Sequence, residues 1–337
     1  MGRKALATLY RPKKFSEVSG QSSTIQILEN QLKTKSFKSA YAFIGASGCG
    51  KTTCARIFAN EINHGQGVPI EMDAASHSSV DDVREIIKMA QTKSLDSEYK
   101  IFIIDEAHSI SNQGWQAMLK TLEEPPAKSI FIFCTTNPEK IPATIKNRVQ
   151  SYRFKRIPHN DIVQRLSDIL AKEGVSQLKD GLEAIDFIAR QSNGQMRDAI
   201  TLLDKCLSYN EKLTLNNVLE ALELSDTNTF LDLTDCILSK DTKTIIDIIE
   251  EVFASGEDMK QFIKQYMNFV LDVSKWYICK DFRYTQLPET GEMKDWLKSA
   301  GELDNILDLL DKIIEIDSAI KYSNSAKEYI EVQLITF

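Results

Sequence analysis

The chain has 337 residues, of which 41 are Lys or Arg and 48 are Asp or Glu, giving a net charge of −7. A hydrophobic fraction of 42% with only 14 Gly and 8 Pro excludes disordered and fibrous proteins, and no apolar run reaches the roughly 18 residues that a membrane span requires. The first residues lack the apolar core of a secretory signal and the six cysteines are scattered, so we expect a cytoplasmic protein with reduced thiols.

The first 155 residues alternate short apolar runs with helical patterns. The apolar runs occupy 41–45, 70–72, 101–105 and 130–136, and the helical patterns between them include 51–63, 79–92 and 112–123. Continuous apolar runs of this length are typical of a parallel sheet that is covered on both faces. The pattern therefore predicts an α/β domain in which helices flank a parallel sheet.

The remainder of the chain carries helical patterns only. Residues 156–220 include the amphipathic segment 194–207, and residues 221–337 continue with further helices. Residues 256–260 and 284–293 are predicted to be surface turns. Within the last region, one helix is predicted to form a single apolar stripe from Leu303, Ile306, Leu307, Leu310, Ile313 and Ile314.

Charge is distributed unevenly along the chain. Residues 226–337 contain 12 basic and 22 acidic side chains, so the preceding 225 residues carry a net charge of +3. A bound polyanion is therefore expected to meet the N-terminal two-thirds of the chain. The acidic end is expected to contact protein or solvent.

A phosphate-binding loop is predicted between the first strand and the following helix. Residues 45–52 (GASGCGKT) match the pattern G-x-x-x-x-G-K-[ST] at every fixed position. Glycines let backbone N–H groups converge on phosphate oxygens, and the helix N-terminus adds partial positive charge. Lys51 is predicted to contact the β- and γ-phosphates, and Thr52 to hold Mg²⁺ through its hydroxyl. The predicted nucleotide-binding loop comprises Gly45, Ala46, Ser47, Gly48, Cys49, Gly50, Lys51, Thr52 and Thr53.

Polar side chains follow two later strands of the predicted sheet. Asp105 and Glu106 end the run IFIID at the carboxyl edge of the sheet, where ligands bind in open α/β folds. Asp105 is predicted to orient Mg²⁺, and Glu106 to polarise an attacking water as general base. Asn137, with Thr136, ends the next apolar run and could align that water or sense the γ-phosphate. An Asn that precedes Pro138 also suits the start of a turn.

Two arginines are further candidates for the site. Arg148 follows the α/β region, and Arg197 lies at the start of a helix in the second predicted domain. A charge that develops on a transferred phosphoryl group requires cations beyond Lys51 and Mg²⁺. Either arginine could instead form a surface ion pair, so the residues alone leave both interpretations open.

Six stretches of the sequence carry a family likeness. They are YRPKKFSEVSGQ (10–21), GASGCGKTT (45–53), EMDAASHSSVDDVREI (71–86), IDEAHSISNQGWQAMLKTLEEPP (104–126), TTNPEKIPATIKNRV (135–149) and GQMRDAITLLD (194–204). With them the chain resembles the AAA+ clamp-loader ATPases, most closely the bacterial DNA polymerase III gamma/tau subunits, and also the small subunits of replication factor C. Among AAA+ families, LKTLEEPP together with TTNPEKIP is typical of clamp loaders.

The resemblance implies roles for residues of the nucleotide site. Lys51 and Thr52 match the phosphate and metal contacts, and Asp105 and Glu106 the metal and water residues. Asn137 matches the first sensor. Arg148 matches the arginine finger, which acts on ATP bound by the neighbouring subunit. Arg197 matches the second sensor, which contacts the ATP of its own subunit. The segment that lies near the adenine is matched by Tyr10, Arg11, Pro12 and Val18.

The resemblance also implies the architecture and the activity. It implies an AAA+ nucleotide-binding core over 1–155, an α-helical lid over 156–220 and an all-helical collar for oligomerisation over 221–337. The activity implied is ATP hydrolysis with Mg²⁺, stimulated by DNA and clamp. The partners implied are other clamp-loader subunits in a pentameric assembly, a ring-shaped sliding clamp and primer–template DNA.

DNA contacts are expected on the first domain. The resemblance implies DNA-facing positions at Arg84 and Lys140, and at His77 and Ser79, where bacterial relatives have basic residues. Such contacts would be made to phosphates, independently of base sequence. Ser111, just past the Asp-Glu pair, could add a neutral phosphate contact together with the two residues after it, or could only cap a helix.

The sequence departs from the gamma/tau pattern at three further places. The finger motif reads Asn147-Arg148-Val149 where relatives have Ser-Arg-Cys, which keeps the arginine. Only HGQGVP (64–69) spans the gap in which gamma/tau subunits carry a four-cysteine zinc module, so no zinc is expected. The long tail of tau is also missing from the sequence, so tethering of a polymerase or helicase by such a tail is not expected.

Two other functions share the same nucleotide site. Another AAA+ DNA motor, such as a branch-migration helicase or a helicase loader, would move along or unwind DNA. A non-hydrolysing scaffold subunit would keep the fold without the chemistry. The motif LKTLEEPP disfavours the first alternative, and intact Lys51, Thr52, Asp105 and Glu106 disfavour the second.

Overall fold

A computed structural model describes residues 4–175, 179–222, 227–321 and 325–337. The chain forms two compact units, one made of Met1–Gly174 with Ser192–Asp204 and the other of Val175–Gln191 with Lys205–Phe337. This division assigns parts of 156–220 to both units. The three-domain organisation expected from the sequence stays a prediction.

A five-stranded parallel sheet forms the centre of the first unit. Its strands are β1 Ala40–Gly45, β2 Ile70–Asp73, β3 Lys100–Asp105, β4 Ser129–Thr135 and β5 Gln150–Phe154, in the order β2-β3-β4-β1-β5. The four strands predicted from apolar runs are confirmed. Strand β5 was not predicted, because it lies at the edge of the sheet and buries only alternate residues, which leaves no continuous apolar run.

Helices cover both faces of this sheet. They are α2 Ser22–Thr34 and α3 Lys51–Ile62 on one face, and α4 Val80–Ala90, α5 Asn112–Glu123 and α6 Ala143–Lys146 on the other. The same unit also contains α1 Leu6–Leu9 and α7 His159–Glu173. On one face, Tyr41 and Phe43 of β1 share a core with Phe58 of α3. On the other, Phe133 of β4 packs with Trp115 of α5. Each such large apolar side chain stabilises the fold by about 1.5–3 kcal/mol on burial, which explains why the strands are apolar on both sides. The α/β fold class is confirmed.

The remaining helices are α8 Lys179–Gln191, α9 Met196–Tyr209, α10 Leu215–Ala221, α11 Thr227–Ser239, α12 Thr242–Ala254, α13 Met259–Cys279, α14 Gly291–Ser299, α15 Leu303–Ile320 and α16 Ala326–Ile335. All but the first part of α9 belong to the second unit. Tyr266 of α13 lies at the centre of that unit's core, where its hydroxyl is 3.0 Å from Thr234 Oγ1 and burial raises its pKa. Of the helices that the structure describes, none combines the length and the hydropathy needed to cross a bilayer.

Two details of the helical prediction are wrong. The stripe on α15 does not run as predicted, because Leu307 and Ile314 are 37% and 44% exposed while Leu309 is fully buried. The buried face of the helix instead comprises Ile306, Leu309, Leu310, Ile313 and Ile316, a set that fits the 3.6-residue period as well as the predicted one but is rotated around the helix axis. The segment 284–293 is not a surface turn throughout, because Thr285 and Leu287 are each only 3% exposed.

One arginine explains why that segment is buried. The Arg190 side chain is 6% exposed and its Nη1 lies within hydrogen-bonding distance of three backbone carbonyls: Phe282 O and Thr285 O, each at 3.2 Å, and Leu287 O at 2.8 Å. Its Nε donates to Asp186 Oδ2 at 3.1 Å. The guanidinium thus gives this bend of backbone a shared donor, in addition to bonds that the bend forms itself, such as the one from Thr285 N to Phe282 O at 3.0 Å.

Candidate nucleotide site

A cleft in the first unit collects residues from five separate parts of the chain. It lies at the carboxyl ends of β1 and β3, where parallel α/β sheets bind ligands. Of the residues predicted for the site, the structure brings the following to its lining: Tyr10, Arg11, Pro12, Val18, Ser47, Gly48, Cys49, Gly50, Lys51, Thr52, Thr53, Asp105, Glu106 and Arg197. Gly45 and Ala46 lead into the loop from β1, while Asn137 and Arg148 are not among the lining residues.

The loop between β1 and α3 requires glycine at two places. Gly45 approaches the neighbouring edge strand so closely that a Cβ there would lie 2.3 Å from Phe154 O. Gly50 has φ +101°, a conformation that side chains with a Cβ rarely adopt. The loop therefore presents its backbone to the cleft at close range, which a phosphate-binding loop needs.

The same loop packs against the start of helix α9. Met196 N donates a hydrogen bond to Gly48 O at 3.1 Å, and a Cβ at Gly48 would lie 3.0 Å from Gln195 Cβ. Arg197 is the next residue, so this backbone contact brings it to the cleft although it is some 150 residues away from the loop in sequence. Nothing in the local sequence around Arg197 indicates this contact.

Lys51 begins helix α3 and is only 6% exposed. Its Nζ donates to Gly45 O at 2.9 Å and to Ala46 O at 2.8 Å. Both acceptors are neutral carbonyls of its own loop. The ammonium charge therefore remains available to an anion that the loop holds.

A hydroxyl and two carboxylates lie at the ends of the loop and of β3. Thr52 Oγ1 donates to Asp105 Oδ2 at 2.8 Å, and Glu106 N donates to Asp105 Oδ1 at 3.0 Å. In the described ranges, no three or more His, Cys, Asp or Glu side chains gather as a metal cage. Mg²⁺ needs none, because it retains waters and takes phosphate oxygens beside one or two protein ligands. Thr52 and Asp105 fit that requirement.

Glu106 is held from two directions. Its φ is +47°, and it begins the 3-10 turn Ala107–Ser109. Its Oε2 accepts a hydrogen bond from Thr136 Oγ1 at 3.3 Å and lies 3.3 Å from His108 Nδ1. His108 was not singled out from the sequence, and only its place two residues after Glu106 could have indicated it.

Asn137 joins the end of β4 to the next turn. Its backbone N–H donates to Thr135 Oγ1 at 3.1 Å, and it precedes the 3-10 turn Pro138–Lys140. The turn expected from an Asn before Pro138 is therefore present. A sensing role for the side chain stays a prediction.

The segment predicted to lie near an adenine is fixed by contacts with α7 and α9. Arg165 Nη2 donates to Tyr10 O at 2.7 Å, Tyr10 OH donates to Glu173, and Leu6 N donates to Asp204 Oδ2 at 3.0 Å. These contacts position Tyr10, with Arg11 and Pro12 after it, along the cleft.

Gln21 is a second residue whose role the sequence did not indicate. It is 4% exposed, and its side-chain Nε2 donates to Lys155 O at 2.7 Å and to Cys49 O at 3.3 Å. Its Oε1 accepts a hydrogen bond from Lys155 N at 3.1 Å. One amide therefore fixes the phosphate loop to the chain that leaves β5.

Three buried thiols lie in or near the loop. Burial raises the pKa of Cys49 and of Cys134, and it raises the pKa of Cys54 to about 12. Cys49 Sγ donates to Ala46 O at 2.9 Å. A thiol with a raised pKa is a poor nucleophile, so these cysteines have a structural role.

The remaining predicted residues lie away from the cleft lining. Arg148 donates to Thr144 O at 2.6 Å and pairs with Glu123, with 32% of its side chain exposed. Arg84 is 67% exposed and pairs with Asp81 at 3.0 Å.

The residues before α4 and α5 mainly cap those helices. Ser79 and Asp82 form a capping box at the start of α4, and His77 Nδ1 lies 3.7 Å from Asp82 Oδ1. Ser111 caps α5 by accepting from Gly114 N at 3.1 Å, which is the second of the two roles considered for it. Lys140 is exposed at the end of its turn. DNA contacts by His77, Ser79, Arg84 and Lys140 stay predictions.

The strand order, the phosphate loop after β1 and the acidic pair after β3 define an AAA+ ATPase fold. Among solved structures, the Holliday junction branch migration motor RuvB of Thermotoga maritima is similar, with a TM-score of 0.53, 18% identity, and coverage of 74% of this chain and 86% of that one. At that identity the likeness establishes the fold alone.

Sequence comparison narrows the assignment. A model described as DNA polymerase III, delta subunit matches residues 63–158, and one described as the ATPase lid domain of the DNA polymerase III clamp loader subunit matches 161–212. DNA polymerase III subunit tau of Bacillus subtilis is 35% identical over 297 residues, 81% of this chain and 52% of the relative. DNA polymerase III subunit gamma/tau of Mycoplasma genitalium is 33% identical over 294 residues, which cover 80% of this chain and 48% of that relative.

Over about four fifths of its length the chain is similar to DNA polymerase III gamma/tau clamp-loader subunits, and residues 161–212 match the ATPase lid domain of the clamp-loader subunit. It spans about half the length of the curated relatives that it matches.

Proposed function

We propose that the chain is the ATPase subunit of a DNA sliding-clamp loader. The observation that carries the proposal is the single cleft in which Lys51, Thr52, Asp105 and Glu106 meet Arg197, in a chain whose relatives are gamma/tau subunits. Each of these five side chains has a distinct task in phosphoryl transfer to water.

The proposed chemistry assigns one task to each group. Backbone N–H groups of the loop and Lys51 bind the β- and γ-phosphates. Thr52 and Asp105 would hold Mg²⁺, which would supply positive charge beside the phosphate oxygens. Glu106 accepts a proton from water as the water oxygen bonds to the γ-phosphorus and the bond to the bridging oxygen breaks, which releases ADP and phosphate. Asn137 orients that water, and Arg197 contacts the γ-phosphate.

Arg148 acts on a neighbour in this proposal. It does not line the cleft of its own chain, and its present partner Glu123 is half exposed, so the pair is weak and can open. A second subunit placed against this surface would receive the guanidinium at its γ-phosphate. ATP would then stabilise the assembled form, because only there is the site complete.

The assembly couples that site to clamp and DNA. The all-helical region 221–337 serves as the collar that joins subunits, in an assembly of five, in the cytoplasm. ATP binding favours a form that binds and opens the clamp and admits primer–template DNA. Arg84 and Lys140, with His77 and Ser79, contact DNA phosphates without regard to sequence. Hydrolysis, stimulated by clamp and DNA, then releases the closed clamp.

The test is ATP turnover and clamp loading by the purified assembly. We expect turnover that rises when clamp and primed DNA are both added, and clamp that becomes topologically linked to circular DNA. Strand displacement without clamp dependence would instead support a branch-migration motor. Nucleotide binding without any turnover would support a scaffold subunit.

A further inference from the structure

A histidine lies directly against the proposed general base. His108 belongs to the 3-10 turn Ala107–Ser109, whose Ser109 N donates to Glu106 O at 2.8 Å. The turn folds the imidazole back, so that His108 Nδ1 lies 3.3 Å from Glu106 Oε2. The imidazole is 15% exposed and the Glu106 side chain 37%, so the histidine is mostly buried while the carboxylate stays accessible.

His108 also contacts the end of strand β4. Its Nδ1 lies 3.2 Å from Thr135 Oγ1, the same hydroxyl that accepts the hydrogen bond from Asn137 N. Thr136 Oγ1 donates to the Glu106 oxygen that faces His108. One ring nitrogen therefore connects the proposed base with the strand end that carries the proposed sensor.

The partners of Nδ1 decide which ring nitrogen carries the proton. A carboxylate oxygen can only accept a hydrogen bond, so the contact with Glu106 is attractive only if Nδ1 bears a hydrogen. Thr135 Oγ1 is close enough to share that hydrogen. We therefore assign the Nδ1–H form to His108 from its hydrogen-bond partners.

Glu106 needs such support because of its backbone. A φ of +47° is uncommon for a residue with a Cβ and persists only where the surroundings enforce it. The backbone contact to Asp105 and the two side-chain contacts supply that enforcement. A freely rotating carboxylate would spend little time in the orientation needed for proton transfer.

We propose that His108 is a positioning residue for ATP hydrolysis. Its Nδ1–H, together with the Thr136 hydroxyl, aims the Glu106 carboxylate and ties that orientation to the strand end at Thr135 and Asn137. The inference rests on the proposed ATPase function. His108 does not line the cleft, so its replacement changes turnover and leaves nucleotide binding intact.

Two substitutions separate the Nδ1–H from the rest of the ring. His108→Asn places an amide N–H where Nδ1 was, whereas His108→Gln carries its amide one bond further, towards the position of Nε2. In the full assembly with clamp and primed DNA, we expect His108→Asn to retain kcat within about threefold and His108→Gln to lower it about 10- to 100-fold. KM for ATP and the affinity for a fluorescent ATP analogue stay within about twofold in both.

Two further variants serve as controls for misfolding. His108→Asp has the size of His108→Asn but offers no donor and adds a charge beside Glu106, so it is expected to lose turnover as His108→Gln does. His64→Gln, at an exposed histidine beyond the far end of α3, is the control for replacing a histidine as such. Thermal denaturation of every variant reports folding.

The outcomes separate this inference from the function on which it rests. Equal kcat in His108→Asn and His108→Gln, or a rise of KM in step with a fall of kcat, would overturn the positioning role. If Glu106→Gln abolished turnover but His108→Gln retained it, the positioning role of His108 would be overturned. The ATPase proposal would not be affected by that result. Absence of turnover in the unmodified assembly would overturn the ATPase proposal itself.

Discussion

Replacing Arg148 by alanine tests whether the nucleotide site is shared between subunits. The guanidinium contacts Glu123 and Thr144 O in its own chain and does not line its own cleft. We expect the variant to bind ATP normally and to hydrolyse it far more slowly. An arginine finger is worth about 10³- to 10⁵-fold in turnover.

To act on a neighbouring subunit, Arg148 must first leave Glu123, and breaking this ion pair costs free energy. With 32% and 49% of the two side chains exposed, the pair is worth about 0–1 kcal/mol. Breaking it lowers the population of the available finger by at most about fivefold. That loss is small beside the gain in turnover, so the pairing does not prevent a role in trans. Glu123→Gln should raise turnover by no more than this factor.

Mixing two inactive variants gives the decisive assay. Arg148→Ala keeps an intact pocket, and Glu106→Gln keeps an intact finger. Where copies of the chain adjoin one another, an equal mixture should restore turnover at about one quarter of the pockets, because each active pocket needs one copy of each kind in the right order. Steady-state phosphate release measures this recovery, and either variant alone is the control.

A different result would refute the shared site. If Arg148→Ala lost ATP affinity and turnover in equal proportion, the arginine would act on substrate binding in its own chain. If the mixture gave no recovery although gel filtration showed mixed assemblies, the finger would not act in trans.

Three further predictions concern single residues. Lys51→Ala should weaken ATP binding roughly a hundredfold in equilibrium titration, because a phosphate would lose its charged donor. Arg84→Ala should weaken DNA binding equally for all sequences and lower the slope of log affinity against log salt by about 1; an unchanged slope would remove Arg84 from the DNA contacts. Arg190→Met should lower the free energy of unfolding by about 1–3 kcal/mol in a denaturant titration, because three backbone carbonyls lose a buried donor. The exposed Arg283→Met is its matched control and should leave the denaturation midpoint unchanged.

Most of the sheet and of the phosphate loop could be predicted from the sequence. Strands β1, β3 and β4 are buried on both sides, so their residues form continuous apolar runs. The loop is fixed by local chemistry, since Gly50 needs its left-handed conformation and Gly45 its missing Cβ. Such requirements are visible in a single stretch of sequence.

The other features depend on packing between distant segments. The role of Arg190 requires three carbonyls nearly 100 residues further along the chain, and burial of Leu287 follows from it. The contact of His108 with Thr135 joins two strand ends that only the sheet order brings together. The face of α15 was mispredicted because exposed Leu307 and Ile314 fit an apolar pattern as well as buried residues do.

The charges that line the cleft explain how a chain of net charge −7 can hold a polyphosphate. Four cationic and three acidic side chains line it: Arg11, Lys51, Arg165 and Arg197 against Glu17, Asp105 and Glu106. Attraction by the arginines alone would therefore be largely cancelled. Backbone N–H groups of the loop and the N-terminus of α3 add positive potential at one point without adding net charge. Mg²⁺ at Asp105 would turn a repulsive carboxylate into part of the phosphate contact. The affinity for a polyphosphate thus depends on the local geometry of the loop, and the net negative charge of the chain does not prevent binding.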